Sequence, residues 1–284
     1  MKFLIITYEY DWRIGGVMAL NLLAKMLKEQ GHEVTGVGTA KSPHFNVISF
    51  QDAHKVAQHN DVWTIYPEVI SGNPFNAKNV VRWVLYYPGV LGGNKEYDDS
   101  EVVVTYHDTF VQGTKYDGAP LLHIRDSQVN VFSDLGIERK IDGILVKKGH
   151  ATFEQRKQKY VIPYVNGLLN VIVVDNELQR IADMQQLNLL YNSIRYFISF
   201  DCETYHSVMA AMAGCTSIIV PQDGMTKEHL IDDWKYGIAY GFDDIPHAEQ
   251  TKRLVHDYAR KLEGDNYASI DRLIKAITTA PKSS

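Results

Sequence analysis

The sequence predicts an α/β protein made of two units in series, each a mostly parallel sheet with helices on its faces. Two observations lead to this class. Short apolar runs rich in β-branched residues alternate along the chain with stretches of helical periodicity. The length of 284 residues, with 45% hydrophobic and 22% charged content, is that of an ordinary globular protein. It is enough for two cores of roughly 100–150 residues each.

The first unit opens with a β-α-β pattern. Residues 2–8 form an apolar run of buried-strand length, and apolar residues then recur at helical spacing from Val17 to Leu27. Gly31 is expected to end that helix, and the chain resumes as a strand. Further short strands are predicted at the stretches NVISF, DVWTIYP, VVRWVLYYP and EVVVTYH.

A second series of strands follows a stretch without clear periodicity. We place the boundary near residue 138, which gives domains of residues 1–138 and 139–284. Strands of the second domain are predicted at DGILVKKGH, NVIVVD, YFISFD and TSIIVP. Two amphipathic helices near the C-terminus are expected either to cover the second sheet or to return to the first.

Charge and composition argue against several classes of protein. The formal net charge of −5 gives no basic field for a phosphate backbone, so we expect no nucleic-acid partner. Cys202 and Cys215 lack metal-ligand spacing, and we expect reduced, buried thiols as in a cytoplasmic protein. No apolar run approaches the roughly 20 residues of a membrane span, so no integral membrane segment is predicted.

Polar side chains separate two apolar runs between residues 196 and 221. If residues 196–200 form a strand and residues 204–214 a helix, the residues from Asp201 to Ser207 form the turn between them. Ligands of doubly wound sheets bind outside the carboxyl ends of strands, where helix N-termini point N–H groups at them. Thr204 and Ser207 are therefore candidate caps or phosphate donors. The alternative is that Thr204 only caps its helix and that the acids are solvated.

Two further candidates follow predicted strands of the first domain. Gly15 and Gly16 allow a backbone to approach a ligand closely, although a plain tight turn is equally consistent. They form neither a dinucleotide fingerprint nor a P-loop, which disfavours nicotinamide enzymes and ATP hydrolysis. His107 could polarise a hydroxyl group, with Asp108 fixing its tautomer; a structural histidine is the alternative.

Basic and aromatic pairs complete the candidates. Lys147 and Lys148 end a predicted strand and could neutralise a diphosphate, although surface lysines are the commoner meaning of such a pair. Tyr86 and Tyr87 could stack on a sugar, unless they belong to an ordinary proline-glycine turn.

Three stretches together resemble, in the same order, the landmarks of GT-B glycosyltransferases, especially the retaining family 4 type. The stretches are IGGVMALNLLAKMLKEQGHEV, VVVTYHDTF and LYNSIRYFISFDCETYHSVMAAMAGCTSIIVP. The first resembles the N-terminal glycine loop and helix, the second a strand ending in a histidine-aspartate pair, and the third the donor-binding strand and helix. DVWTIYPEVISGNPFNAKNVVRWVLYYPG and YGIAYG also resemble a small-chain branch of microbial and viral polysaccharide glycosyltransferases.

The resemblance implies two Rossmann-like domains facing a cleft. It implies a nucleotide-sugar donor held mainly by the C-terminal domain, a glycan or polysaccharide acceptor held mainly by the N-terminal one, and neither a metal nor a cofactor. Gly15 and Gly16 would lie near the donor phosphates or sugar. His107 would face the reacting sugar or the acceptor, and Lys147 and Lys148 would serve the diphosphate.

The sequence departs from the family at one motif. The family usually has two glutamates separated by seven residues, and here Cys202 and Ala210 occupy their places. Glu203, displaced by one, or Asp201 is expected to replace the contact with the donor sugar. The predicted function is a metal-independent, retaining glycosyltransferase, with His107, Asp108 and Glu203 as catalytic residues. The alternative is a catalytically inactive nucleotide- or sugar-binding protein.

Overall fold

The computed structural model describes residues 1–37, 42, 45–146, 152–229 and 235–280. The chain divides into two compact units. Unit 1 contains residues 1–126 and 263–284, and unit 2 contains residues 127–262.

Unit 1 begins with a parallel sheet of Rossmann type. Its elements in this part of the chain are β1 (Lys2–Ile6), α1 (Gly15–Glu29), β2 (Glu33–Val37), β3 (Asn46–Ile48), α2 (Phe50–Ala57), β4 (Val62–Pro67), β5 (Asn79–Val84) and β6 (Val102–Thr105). The strand order is β3-β2-β1-β4-β5-β6, and every pairing is parallel. This is the order of dinucleotide-binding sheets, and it reverses between β1 and β4.

Unit 2 contains a second parallel sheet. Its elements among the described residues are β7 (Ile141–Leu145), α3 (Phe153–Tyr160), β8 (Ile172–Val173), α4 (Val174–Leu178), α5 (Met184–Ser193), β9 (Ile194–Ser199), α6 (His206–Met212), β10 (Thr216–Ile219), β11 (Ile238–Tyr240), α7 (Ile245–Thr251) and α8 (Val255–Gly264). The order β11-β10-β9-β7-β8 is that of flavodoxin-like sheets and reverses between β7 and β9. The predicted α/β class with two Rossmann-like domains is therefore confirmed.

The final helix, α9 (Asn266–Thr279), belongs to unit 1. Ile270, Leu273 and Ile277 are buried in the cluster that α1 forms with the first sheet. The Asn266 side chain accepts from the Arg125 N–H group at 2.9 Å and donates to its carbonyl at 2.7 Å. The sequence left open whether the C-terminal helices cover the second sheet or return to the first, and α9 returns to the first.

The division of the structure differs from the predicted boundary near residue 138. Residues 127–138 belong to unit 2 because polar side chains of α5 hold them there. Asn192 Oδ1 accepts from the Leu135 N–H group at 2.7 Å, and Asn188 Oδ1 accepts from that of Ser133 at 3.2 Å. A segment without periodicity can therefore belong firmly to a domain through side-chain hydrogen bonds.

The predicted strand NVIVVD is shorter than expected. Only Ile172 and Val173 form β8, and α4 begins at Val174. Asp175, in the first turn of α4, accepts from the Val146 N–H group at 2.8 Å. The aspartate thus connects the helix to the chain that leaves β7.

Arg82 is a buried arginine of β5 that anchors the segment following β4. Its Nε lies 2.8 Å from Glu101, and the side chains are 0% and 5% exposed. The guanidinium also donates to the carbonyl oxygens of Ile70, at 2.6 Å, and Gly72, at 2.7 Å. One side chain thus satisfies two loop carbonyls and one buried carboxylate.

We expect Arg82→Met to lower the free energy of unfolding by about 3–5 kcal/mol, because Glu101 would remain as an unpaired buried charge. Urea denaturation measures this change. Lys2→Met is the matched control, since it breaks the exposed Lys2–Asp61 pair of 3.0 Å. Exposed pairs of this kind contribute little to stability because water and salt screen them. Equal losses in the two variants would contradict the role given to Arg82.

Candidate functional site

Three strands of the second sheet end at the same level. Leu145 of β7 and Ile219 of β10 are both in register with Ser199 of β9. β7 and β9 flank the reversal of strand order, where doubly wound sheets bind ligands. We call these strand ends and the turns that follow them edge 2. The polar turn singled out in the sequence, residues 201–207, is part of edge 2.

The turn after β9 is shaped by its own polar groups. Ser199 Oγ donates to the Asp201 carbonyl at 2.7 Å and accepts from its N–H group at 3.2 Å. Asp201 Oδ1 in turn accepts from the Glu203 N–H group at 3.0 Å. Asp201 is buried, whereas Glu203 is half-buried. Asp201 therefore shapes the turn, and Glu203 is its solvent-accessible carboxylate.

The two hydroxyl groups of this turn have different environments. α6 begins at His206, two residues after the predicted start, and Thr204 Oγ1 accepts from the His206 N–H group at 3.4 Å. Thr204 thus contacts the start of α6, although the N-cap residue of this helix is Tyr205, which provides no side-chain cap. Ser207 Oγ is buried, and within the described part of the chain it has no hydrogen-bond partner. A buried, unsatisfied hydroxyl costs about 1–3 kcal/mol, which calls for an explanation.

Arg156 of α3 is a residue of edge 2 that the sequence analysis did not identify. Its guanidinium donates to the carbonyl oxygens of Phe200 at 2.8 Å, Val220 at 2.5 Å and Pro221 at 3.1 Å. These carbonyls follow β9 and β10, so Arg156 connects the two strand ends. Its side chain is only 4% exposed.

The positive charge of Arg156 forms no ion pair with a carboxylate of the described residues. Its Nη2 atom also lies 3.4 Å from Cys202 Sγ, and its guanidinium carbon lies 5.4 Å from the centre of the Phe200 ring. Burial raises the pKa of the Cys202 thiol, and the nearby guanidinium opposes that rise. Burying a charge is costly unless it is compensated, and carbonyl dipoles compensate only in part. Edge 2 is therefore electrostatically suited to an anionic ligand.

Lys147 and Lys148, the predicted diphosphate ligands, lie outside the described residues. Both cysteines are unpaired and buried, as expected.

The turns after β1, β4 and β5 meet at the carboxyl end of the first sheet. A Cβ atom on Gly16 would lie 3.5 Å from Leu85 Cδ1. The Leu85 N–H group donates to the buried Glu68 carboxylate at 3.0 Å, and Gly93 packs so closely on the Glu68 carbonyl that a side chain would clash. We call these strand ends and the segments that follow them edge 1. Glu68 was missed in the sequence, although its position directly after an apolar strand was a usable signal.

Gly15 and Gly16 are the first two residues of α1. Ile14 provides no side-chain cap, and the first turn of the helix contains no acidic residue. A Cβ atom on Gly15 would meet nothing within 4 Å, so packing does not require glycine there. There is open space beside Gly15 at this helix end, which is consistent both with a ligand and with a plain turn.

His107 and Asp108 follow β6 as an adjacent pair. His107 Nδ1 lies 2.9 Å from Asp108 Oδ1 and 2.9 Å from Thr109 Oγ1. The His107 side chain is 17% exposed and that of Asp108 is 73% exposed. Because Nδ1 faces these two partners, proton exchange with a substrate would use Nε2.

The rings of Tyr86 and Tyr87 pack within edge 1. Their centroids lie 5.5 and 5.0 Å from that of Phe110, and 5.0 Å from each other. Both residues are half-buried. Much of the area of these two rings, which were predicted to stack on a sugar, therefore contacts the protein itself.

His123 is a neutral imidazole beside His107. Its ring centroid lies 4.2 Å from that of Tyr106 and 6.1 Å from that of His107. Arg125 Nη2 lies 2.8 Å from His123 Nδ1. Burial, followed by the charges of Arg125 and His107, lowers the pKa of His123 to about 2.

Comparisons with known proteins identify the fold. No protein-family model matches the chain, and no curated protein sequence matches it. Among solved structures, the DNA-modifying enzyme β-glucosyltransferase, studied with and without uridine diphosphoglucose, is 12% identical with a TM-score of 0.57, over 98% of this chain and 100% of that chain. T4 phage BGT with UDP and Mn2+ is 11% identical with a TM-score of 0.53, over 98% and 99%.

An α-glucosyltransferase bound to UDP and a 13-mer DNA containing an HMU base is 11% identical with a TM-score of 0.50, over 98% of this chain and 100% of that chain. These similarities, together with the two parallel sheets, show that the chain has the GT-B fold. At this level of identity they establish the fold and leave function to the site.

The described residues lack two kinds of feature. They contain no group of three or more histidine, cysteine, aspartate or glutamate side chains placed to hold a metal ion. None of their helices has the length and apolar character required to cross a membrane.

The depressed pKa of His123 predicts a pH dependence of stability. Below its ordinary pKa of about 6.5 the histidine of the unfolded chain binds a proton that folded His123 does not bind. The contribution of His123 to the free energy of unfolding is therefore complete above about pH 6.5, the ordinary pKa of histidine. It decreases as the pH falls towards the folded pKa of about 2. Between pH 7 and pH 5 this linkage removes about 2 kcal/mol.

We expect His123→Phe, which retains a ring beside Tyr106 but cannot titrate, to remove this part of the pH dependence. Urea denaturation at the two pH values measures the difference from the parent protein. His59 is an exposed histidine of unit 1, and the free energy of unfolding of His59→Gln should decrease between pH 7 and pH 5 as much as that of the parent. Parallel declines of the parent and His123→Phe would show that His123 is protonated in the folded state.

Proposed function

We propose that this chain is a glycosyltransferase that moves a sugar from a nucleotide-sugar donor to a hydroxyl group of a glycan. Transfer is independent of a metal ion and retains the anomeric configuration of the donor. The GT-B fold and the family 4 resemblance support the reaction type and its stereochemistry. The observation that carries the proposal is the buried guanidinium of Arg156 at edge 2, which lacks an ion pair among the described residues and lies beneath the turn of residues 201–207.

The donor side of the reaction requires stabilisation of a departing diphosphate. Positive charge in a water-poor site stabilises the negative charge that develops on this leaving group. Arg156 provides such charge at edge 2, and the buried Ser207 hydroxyl would gain its missing partner from a phosphate oxygen. Glu203 accepts a hydrogen bond from a sugar or ribose hydroxyl, while Asp201 and Thr204 hold the turn. Lys147 and Lys148 remain proposed ligands of the diphosphate.

The acceptor side is assigned to unit 1, with His107 orienting and polarising an acceptor hydroxyl. Asp108, at 2.9 Å, fixes the imidazole tautomer for this role. Gly15 and Gly16 remain proposed to lie beside the donor phosphates or sugar, and Tyr86 and Tyr87 beside the acceptor.

Charge at edge 1 favours a neutral acceptor. The segments that follow β1, β4, β5 and β6, residues 7–14, 68–77, 85–101 and 106–126, contain ten acidic and four basic residues. One of the acids, Glu101, is neutralised by Arg82. DNA binding requires basic groups that replace condensed counterions, whereas a neutral glycan requires hydrogen-bond acceptors and apolar rings. We therefore propose a glycan acceptor, although some proteins of the same fold are described with DNA.

A catalytically inactive binding protein is the second candidate. It is favoured by Cys202 and Ala210, which stand where the family that the sequence resembles has glutamates. Hydrolysis of the donor, or transfer of its sugar, distinguishes an enzyme from this candidate.

The first test of the proposed function is donor binding without metal. We expect calorimetry in EDTA to detect binding of UDP or another nucleoside diphosphate, because Arg156 supplies positive charge. Ser207→Ala and Glu203→Gln should each weaken binding about ten- to hundred-fold, which corresponds to the loss of one hydrogen bond of about 1.5–3 kcal/mol to a charged group.

Ser193→Ala, immediately before β9, and Glu177→Gln on α4 are matched controls that should retain full affinity. Binding that requires Mn2+ would contradict metal independence. Unchanged affinity in both test variants would remove the turn after β9 from the donor site, and the absence of binding to any nucleoside diphosphate would contradict the donor class.

The second test concerns His107. We expect His107→Ala to reduce sugar transfer while leaving the affinity for the diphosphate nearly unchanged, because His107 orients the acceptor hydroxyl. Product formation is followed by mass spectrometry, and the coupling constant of the anomeric proton reports retention. His59→Ala, an exposed histidine of the same unit, is the control. Transfer by His107→Ala at the parent rate would make His107 a structural residue.

A further inference from the structure

We propose that the segment connecting β1 to α1 is an acceptor subsite, in which Tyr8 and Tyr10 stack on sugar rings of a neutral glycan and Glu9 accepts hydrogen bonds from its hydroxyls. The inference rests on the proposed function, since it identifies the residues that bind the acceptor of that enzyme.

The position of this segment is the first argument. It leaves the carboxyl end of β1, and strand order in the first sheet reverses between β1 and β4. Ligands of such sheets bind at this reversal. The segment ends at Gly15, beside which α1 has open space. It is therefore part of edge 1 at the place where the topology favours a ligand.

Exposure of the aromatic rings is the second argument. Tyr8 is 56% exposed and Tyr10 is 37% exposed, whereas Tyr86 and Tyr87 pack against Phe110. Sugar binding uses the flat face of an aromatic ring against the apolar face of a pyranose, so ring area must remain accessible. Edge 1 offers more of that area after β1 than at the two tyrosines identified in the sequence.

The alternation of chemistry along the segment is the third argument. Tyr8, Glu9, Tyr10, Asp11 and Trp12 alternate aromatic rings with carboxylates. A carboxylate accepts strong hydrogen bonds from hydroxyl groups and offers no attraction to a phosphate backbone. The combination therefore selects a hydroxyl-rich, uncharged ligand over a nucleic acid.

The segment has a defined shape before any ligand binds. Asp11 Oδ1 accepts from the Arg13 backbone N–H at 2.9 Å and from Arg13 Nε at 2.8 Å, and the Ile14 N–H group donates to the Asp11 carbonyl at 3.1 Å. The Arg13 guanidinium carbon lies 5.5 Å from the centre of the Trp12 ring. Asp11 is thus occupied in shaping the turn, and the exposed Glu9 is the carboxylate assigned to the glycan. Such preorganisation lowers the entropic cost of binding.

The apolar surface continues into the segment after β5. Val90 is 63% exposed and Leu91 is 51% exposed, and the contacts of Glu68 with Leu85 and Gly93 hold this segment to edge 1. Edge 1 thus combines exposed apolar groups with an excess of carboxylates. An extended neutral oligosaccharide meets both properties.

The test starts with the labelled 284-residue chain on an array of neutral, acidic and basic glycans, with a DNA duplex as a separate probe. We expect binding to a neutral glycan, which then serves as the acceptor in transfer assays. Tyr8→Ala and Tyr10→Ala should each raise the acceptor KM about ten-fold, because each loses one stacked ring. Tyr267→Ala on α9, a tyrosine that is 52% exposed, is the matched control and should retain the parent KM.

The sign of the effect of Glu9→Gln separates the acceptor classes. Loss of a carboxylate that accepts hydrogen bonds weakens binding of a neutral glycan, whereas removal of a negative charge strengthens binding of DNA. Binding to DNA but to no neutral glycan, or tighter acceptor binding by Glu9→Gln, overturns the inference.

Failure of the subsite can be distinguished from failure of the proposed function. Hydrolysis of the donor by the parent protein is measured in the same preparations. Donor hydrolysis and transfer with the parent acceptor KM in both alanine variants would overturn the subsite alone. If the parent protein shows neither donor hydrolysis nor sugar transfer, the proposed function is overturned.

Discussion

A buried arginine beneath the carboxyl ends of the strands supports each functional edge. Where parallel strands end, the following turns leave backbone carbonyls that need donors. Arg82 supplies them to Ile70 and Gly72 in unit 1, and Arg156 supplies them to Phe200 and Val220 in unit 2. The guanidinium is suited to this task because its donors spread in one plane and can reach several carbonyls. The turns that would contact a ligand are thus fixed by side chains that the ligand need not touch.

The two arginines differ in how their positive charge is compensated. Glu101 neutralises Arg82, so that pair is a closed structural unit. Arg156 is surrounded by carbonyl oxygens, the Cys202 sulfur and the Phe200 ring, and no carboxylate of the described chain pairs with it. Its electrostatic compensation is incomplete, and an anion at edge 2 would complete it. The same structural solution therefore gives stability in unit 1 and a binding potential in unit 2.

Local patterns predicted the elements, and long-range contacts decided their assembly. Gly31 has a φ of 82° directly after α1, as expected of a helix end. The membership of residues 127–138 in unit 2 depended instead on Asn188 and Asn192, whose hydrogen bonds to distant backbone groups leave no periodic signal. Arg156 lies in FEQRKQKY among two lysines, and nothing in that stretch marks it as the buried cation. Burial of a charge is a property of the assembled fold. The sequence therefore indicated edge 2 only through the polar turn of residues 201–207.

The fold and the surface segments carry different information about function. Strand order in doubly wound sheets indicates where ligands bind, and the fold of this chain is shared with proteins of 11–12% identity. The segments after β1 and β5 lie outside the buried core, so core packing leaves their charge unconstrained. In this chain Glu9 stands between the exposed Tyr8 and Tyr10, and in the segments after β1, β4, β5 and β6 acidic residues outnumber basic ones by ten to four, which disfavours a polyanion. The acceptor must therefore be inferred from the chemistry of edge 1, where carboxylates and rings match the hydroxyls and apolar faces of a glycan.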